Sequence, residues 1–309
     1  MLTSGQIAHF ETFGFLVLRH LFSPNETQTI KRAYDEAWEE ALGGRPFNGE
    51  WTESLSKFCD GSALLTDLAE DDRVYGPVEQ LLGPNVIWGG SGAARYVGDS
   101  FWHKDDYAGV RDSYPYVKAV IYFEPVERDT GCLRIIPGSH RPLFKQALGS
   151  LDKQHGDPAI IPFGVSGQDI PGYAMETQPT DLIVFDATAY HGSFGGSSGR
   201  SNLQLHYFPY PADDAELDTL RQVHDNTEYT LRVPETFLES GSPRLRGMVS
   251  KLVEWGFETS TSSNVGQETR HASTRTDIPL RDLRLRGAKA ALHIGRSRHH
   301  EAGVGRNIR

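Results

Sequence analysis

From Val86 onward the chain breaks into short apolar runs rich in β-formers, at residues 86–88, 93–97, 117–123, 133–136, 182–185 and 203–208. Gly, Pro, Asp and Ser punctuate them. The spacing is too tight for regular βαβ units, which argues against a doubly wound parallel sheet. Short strands with turn signals fit a sandwich or barrel. The expected fold is mainly β with flanking helices.

The helices lie at the two ends. Residues 3–13 read as a short helix with Ile7, Phe10 and Phe13 on one face, ended by Gly14. Phe15, Leu16, Val17 and Leu18 form a strand-like run. Ser23-Pro24-Asn25-Glu26 is a capping box with proline at the first helical position. That helix should reach Ala41, where Gly43-Gly44 stops it. A second helical stretch covers 63–82, interrupted by Gly76-Pro77 and closed by Gly83-Pro84-Asn85. Two more are expected at 212–223 and 242–255. Residues 149–179, with many Gly, Pro and Gln, read as a long loop. The glycine-rich stretch 195–199 lies between strands and reads as a turn. No phosphate-cradling glycine motif follows a strand.

Composition bounds the function classes. A hydrophobic fraction of 38% in 309 residues can build a substantial core. No apolar run approaches the roughly 18 residues that a spanning helix needs. The first residues carry no basic start and apolar block, so no signal peptide is expected. Cys59 and Cys132 make no disulfide framework, and a reducing cytoplasm is the expected location. Net charge is −10 but uneven: ten Lys and Arg against five Asp and Glu follow residue 256, leaving −15 on the first 256 residues. An acidic body disfavours nucleic acid as a partner. The expected partner is a small molecule, not a membrane or a nucleic acid. The expected organisation is one domain over 1–256, with helices in 1–83, a β core over 84–210 and helices in 211–256. A basic, flexible tail would cover 257–309.

Chemistry concentrates around Phe101-Trp102-His103-Lys104-Asp105-Asp106-Tyr107. In a strand, residues i and i+2 share a face, so His103 and Asp105 can converge on one ion. His191, just past the apolar run 182–185, supplies a third ligand of the right kind. Two histidines and one carboxylate are the facial set of non-haem Fe(II) oxygenases, with open positions left for cosubstrate and dioxygen. A packed core histidine is the competing reading for His191. Arg200, nine residues on, offers a fork suited to a carboxylate, although a surface arginine in a turn is the bland alternative. Alternation puts Asn202, Gln204 and His206 on its face. Asn202 and Gln204 are candidates to help hold a cosubstrate. Arg95, Tyr96, Trp102, Asp106 and Tyr107 are candidates for substrate contact.

Three stretches carry a family resemblance. The opening runs from Leu2-Thr3 through Gly14-Phe15-Leu16-Val17-Leu18 to Phe22-Ser23-Pro24-Asn25-Glu26. The second is Thr130-Gly131-Cys132-Leu133-Arg134-Ile135-Ile136-Pro137-Gly138-Ser139-His140. The third runs from Asp181 through His191 to Arg200. Over about residues 1–210 the chain resembles the phytanoyl-CoA dioxygenase family of Fe(II)/2-oxoglutarate oxygenases. The resemblance implies a double-stranded β-helix, that is, a cupin-like jelly roll. It implies Fe(II) held by His103, Asp105 and His191, with 2-oxoglutarate and O2 as cosubstrates and Arg200 on the distal carboxylate. It puts His140 in a structural turn rather than in the site, and Cys132 among buried apolar residues. The chain departs from relatives where they often carry a Trp after H-x-D; here the strand reads Lys118-Ala119-Val120-Ile121-Tyr122. The implied activity is oxidation, by hydroxylation, of a small metabolite or natural-product intermediate. Two other classes stay open at this point. A cupin-like metal enzyme without 2-oxoglutarate would have no use for Arg200. A binding or sensing jelly roll would need neither Arg200 nor the ligand set.

Overall fold

Two capping boxes set the N-terminal frame of the computed structural model. Thr3 Oγ1 accepts the Gln6 N–H at 3.2 Å, the Gln6 side chain accepts the Thr3 N–H at 2.9 Å, and helix α1 (Ser4–Phe13) follows. Gly14, at φ 84°, turns the chain out of α1 into strand β1 (Phe15–Leu18). Ser23 and Glu26 make the second box and open α2 (Pro24–Ala41). Its buried stripe includes Ile30, Tyr34 and Trp38, and the Tyr34 hydroxyl donates to Ala94 O at 2.9 Å. The structure describes residues 1–105, 114, 116–157, 159–196, 199–226, 232–260 and 269–272.

The next helical stretch divides differently from expectation. α3 (Ala63–Leu68) and α4 (Asp72–Leu82) are separated at 69–71, and Pro77 lies inside α4. Asp71 starts a fresh helix by accepting the Arg73 N–H at 2.9 Å, and that cap outweighs the Gly-Pro signal. Strand β2 (Trp51–Ser56) precedes α3. β3 (Ile87–Tyr96) is one continuous strand across two expected runs. There follow β4 (Ser100–His103), β5 (Val117–Tyr122) and β6 (Leu133–Ile135). The stretch 149–179 holds local structure instead of one loop. α5 (Pro142–Ala147) leads into α6 (Ser150–Gly156) and β7 (Tyr173–Ala174). Leu151 and Ile170 anchor it in a satellite core with Trp102, Ile136, Tyr190 and Phe194. The chain continues through β8 (Leu182–Asp186), β9 (His191–Ser193), β10 (Arg200–Phe208), α7 (Asp214–Asn226), β11 (Val233–Pro234), α8 (Glu235–Leu238) and α9 (Pro243–Glu254).

Beyond residue 256, where only a tail was expected, β12 (Thr259–Ser260) pairs with β11 and β13 (Thr269–Ala272) pairs with β2. The large sheet runs β1-β8-β5-β10-β3-β2-β13 and the small one β4-β9-β6-β7, both antiparallel. Together they make the jelly roll. Among the described residues, no helix is long and apolar enough to cross a membrane.

β10 lies between β3 and β5 in the large sheet. Directly opposed residues of antiparallel strands share a face. Asn202 opposes Ala94 on one side and Tyr122 on the other. The neighbouring face carries Ala93, Leu203, Leu205, Ala119 and Ile121, all buried in the main core. Alternation therefore separates a polar inner face from an apolar outer one.

The Pro-Gly-Ser-His turn serves this frame. His140 packs against Gly14, where an added Cβ would lie 2.6 Å from the imidazole Nδ1, and its Nε2 donates to Glu11 O at 3.3 Å. The turn thus buttresses the α1–β1 corner. Gly14→Ala would meet both a left-handed φ and this ring. It is expected to destabilise the protein by about 2 kcal/mol, read as a fall in denaturation midpoint, whereas Gly14→Ala combined with His140→Ala should recover part of the loss.

Candidate metal centre

The small sheet brings the two histidines together. β4 and β9 pair so that His103 opposes His191, with an irregularity between Ser100 and His103 where three steps on β4 match two on β9. Such a bulge re-aims the side chains beside it. The rings lie 4.3 Å apart, centroid to centroid. Asp105 follows β4, and its N–H donates to Ala187 O at 3.0 Å, tying this segment to the connection that leads into His191. Asp105 Oδ2 is 3.6 Å from His191 Nε2. One donor atom from each of the three residues falls within 4.8 Å of the others.

The backbone settles how each ring presents itself. His103 Nδ1 is 2.7 Å from Phe101 O, and His191 Nδ1 is 2.9 Å from Ala189 O. A carbonyl only accepts, so each Nδ1 carries a proton, and in the neutral ring the lone pair then lies on Nε2. This is the tautomer that a metal-ligating histidine with a carbonyl partner adopts. Burial, reinforced by the neighbouring His191, pushes His103 down to about 4, so its ring is neutral at pH 7. Burial alone would raise Asp105; the Lys118 ammonium, followed by the two histidines, instead holds it well below the usual carboxylate range. Two imidazoles and one carboxylate fit Fe(II) in ligand type, and three donors leave coordination positions open.

Arg200 opens β10 and is buried. Its Nη2 donates to Ser193 Oγ at 2.8 Å and Gly98 O at 3.0 Å, and its guanidinium lies 5.0 Å from the Tyr96 ring centre. Two glycines make room for it. A Cβ on Gly131 would come within 2.7 Å of Arg200 Cζ, and one on Gly196 within 1.8 Å of Nη1. Asn202 and Gln204 continue the same face: Gln204 Nε2 donates to Asn202 Oδ1 at 3.2 Å and to the Tyr96 hydroxyl at 3.4 Å. Tyr96 thus joins this polar row.

Two other candidates face elsewhere. Trp102 points into the satellite core, fully buried, with its indole N–H donating to Gly167 O at 2.7 Å and its ring 5.6 Å from Phe194. It precedes His103 by one residue, so alternation sends it to the opposite face. Arg95, one residue before Tyr96, lies over Trp38 at 4.5 Å and 3.8 Å from Asp35, against α2. Both are corrections to the expected substrate contacts. Asp106 and Tyr107 lie outside the described residues.

Two residues of β5 were missed. Lys118 Nζ is 2.7 Å from Asp105 Oδ2 and 3.4 Å from Gln204 Oε1. Tyr122 opposes Asn202 and hydrogen bonds to its side chain. Counting by twos from Tyr122 gives Val120 and Lys118, and the lysine in an otherwise apolar run was the available signal.

A jelly roll with this donor set and an interior arginine behind it is the construction of non-haem iron, 2-oxoglutarate-dependent oxygenases. The model of the phytanoyl-CoA dioxygenase (PhyH) family matches residues 10–202, and the chain belongs to that family. Ectoine dioxygenase from Bordetella bronchiseptica is 25% identical over 260 residues, covering 76% of this chain and 79% of its own. Ectoine dioxygenase from Sphingopyxis alaskensis is 27% identical over 232 residues, covering 67% and 76%. In three dimensions, EctD from S. alaskensis with 2-oxoglutarate and 5-hydroxyectoine superposes with a TM-score of 0.52 at 24% identity, covering 67% of this chain and 76% of that one. HygX from Streptomyces hygroscopicus with nickel and 2-oxoglutarate bound gives 0.52 at 19% identity, covering 68% and 88%. The structural likenesses carry the fold.

The Asp105–Lys118 contact has a measurable consequence for the metal-free protein. Asp105→Asn would strand a lysine whose side chain is 9% exposed. A loss of about 3 kcal/mol is expected, and Asp105→Asn with Lys118→Met should recover most of it in a denaturant titration.

Proposed function

We propose that this protein uses Fe(II) and 2-oxoglutarate to hydroxylate a C–H bond of a small metabolite, with 2-oxoglutarate and O2 converted to succinate and CO2. The observation that carries the reading is the convergence of His103, Asp105 and His191 beside a buried arginine. His103, Asp105 and His191 hold the metal, which when bound supplies the activation of dioxygen. Their Nδ1–carbonyl bonds keep both imidazoles aimed at the centre before metal arrives.

Arg200 takes the distal carboxylate of 2-oxoglutarate. Ser193 and Gly98 hold one edge of the guanidinium, and Tyr96 lies against its face, so the fork is oriented in advance. Asn202 and Gln204 extend the polar wall beside the bound diacid. Asp105, a carboxylate at the position a halide would need, favours hydroxyl transfer. Substrate contacts fall to the segment after Asp105, with Asp106 and Tyr107 first among them. A small-molecule substrate is supported by EctD, which has been solved with 2-oxoglutarate and 5-hydroxyectoine.

Anaerobic addition of Fe(II) and then 2-oxoglutarate tests this directly. Wild-type protein should develop the visible metal-to-ligand charge-transfer band of the chelate. His191→Ala should abolish it, and Arg200→Ala should weaken 2-oxoglutarate binding by about 10- to 100-fold. Folded, iron-loaded protein without a band overturns the 2-oxoglutarate reading. With the band in hand, succinate release in the presence of candidate metabolites identifies the substrate.

A further inference from the structure

Lys118 projects from β5 to Asp105 and Gln204, and nothing in the proposed metal set or the distal-carboxylate anchor accounts for it. Its side chain is 9% exposed, and its ion pair is with Asp105 at 2.7 Å. An ammonium buried to this degree needs a compensating anion. In the metal-free protein Asp105 is that anion. In the metal-loaded protein Asp105 also serves a divalent cation, and its charge is divided between the two. Lys118 is then short of negative charge, unless a second anion enters beside it.

The polar row says where that anion comes from. Lys118 Nζ reaches Gln204 Oε1 at 3.4 Å, Gln204 bonds to Asn202 and Tyr96, and Tyr96 lies against the Arg200 guanidinium. Two buried cations therefore stand at the two ends of one continuous polar row. Lys118 is at the Asp105 end and Arg200 at the other. A 2-oxo diacid has a carboxylate at each end. We propose that Lys118 is the second carboxylate anchor of the cosubstrate pocket, binding the carboxylate next to the keto group while Arg200 binds the distal one. This assignment rests on the proposed use of 2-oxoglutarate.

The test uses two ligands that differ at one end. 2-Oxovalerate keeps the keto acid group of 2-oxoglutarate and lacks the distal carboxylate. Each is titrated anaerobically into Fe(II)-loaded wild type, Lys118→Met, Lys118→Arg and Arg200→Met, following the charge-transfer band. Calorimetric Co(II) binding without any oxo acid reports the metal site separately, and circular dichroism reports folding; Lys118→Gln replaces Lys118→Met should the latter misfold. Lys118→Met is expected to weaken both ligands by about 10- to 100-fold, with Lys118→Arg restoring most of the affinity. Arg200→Met should weaken 2-oxoglutarate and leave 2-oxovalerate near its wild-type affinity. Unchanged binding of both ligands to Lys118→Met overturns the proposal, as does a loss confined to 2-oxoglutarate, which would put Lys118 at the distal end. Loss of Co(II) binding in the lysine variants also overturns it, by showing that Lys118 acts through Asp105. Wild type that binds Co(II) but neither oxo acid overturns the cosubstrate reading itself, a result distinct from any defect of the Lys118 variants.

Discussion

The pairing of β10 with β3 on one side and β5 on the other determines which side chains share the polar face of the large sheet. Through that register, Asn202 meets Tyr122 and Ala94, and Gln204 meets Val120 and Gly92. A one-residue slip would turn Arg200, Asn202 and Gln204 toward α2 and bring Leu203 and Leu205 inward. The apolar outer face protects against this, because Leu203, Leu205, Ala93, Ala119 and Ile121 are all buried in the main core. The polar interior is thus positioned by hydrophobic burial on the reverse side of the same strands. Stability and site geometry are two consequences of one alternation pattern.

Within that frame the charges compensate one another in pairs and rows rather than by exposure to water. Asp105 stays ionised because the Lys118 ammonium faces it at 2.7 Å, despite a burial cost that acts the other way. His103 stays neutral because burial and His191 disfavour its proton. Arg200 is buried, and a carbonyl and a hydroxyl hold one edge of its guanidinium in place.

The parts of this arrangement legible in the sequence were those governed by local rules. Ser23 and Gly14 announced their caps because capping is set by residues a few positions apart, while Thr3, read as the first helical residue, proved to be the N-cap of α1. His103, Asp105 and His191 could be grouped because motif spacing carries them, and the fold brings one donor atom of each together. The errors came from reading nearness in sequence as nearness in space. Trp102 and Arg95 adjoin His103 and Tyr96, and adjacency in a strand means opposite faces. Strand β2 escaped notice because Thr52, Glu53, Ser54 and Ser56 interrupt its apolar pattern. Lys118 escaped because its partner, Asp105, is reached only through the fold, across the connection from β4 to β5.

The glycines of the family motif show how a long-range demand becomes a local sequence signal. Gly131 sits at φ 88°, which favours glycine on backbone grounds alone. Its second constraint is the Arg200 guanidinium, whose Cζ would lie 2.7 Å from any Cβ placed there. Gly196 is under the stronger version of that constraint, since its φ is not left-handed while its Cβ would fall 1.8 Å from Nη1. In the turn before β10, Gly195 and Gly199 carry the left-handed φ of 74° and 91° that turning requires, whereas Gly196 is kept for the space that Arg200 fills. A glycine kept for space beside Arg200 and a lysine buried against Asp105 are both demands that the fold makes on single positions from a distance.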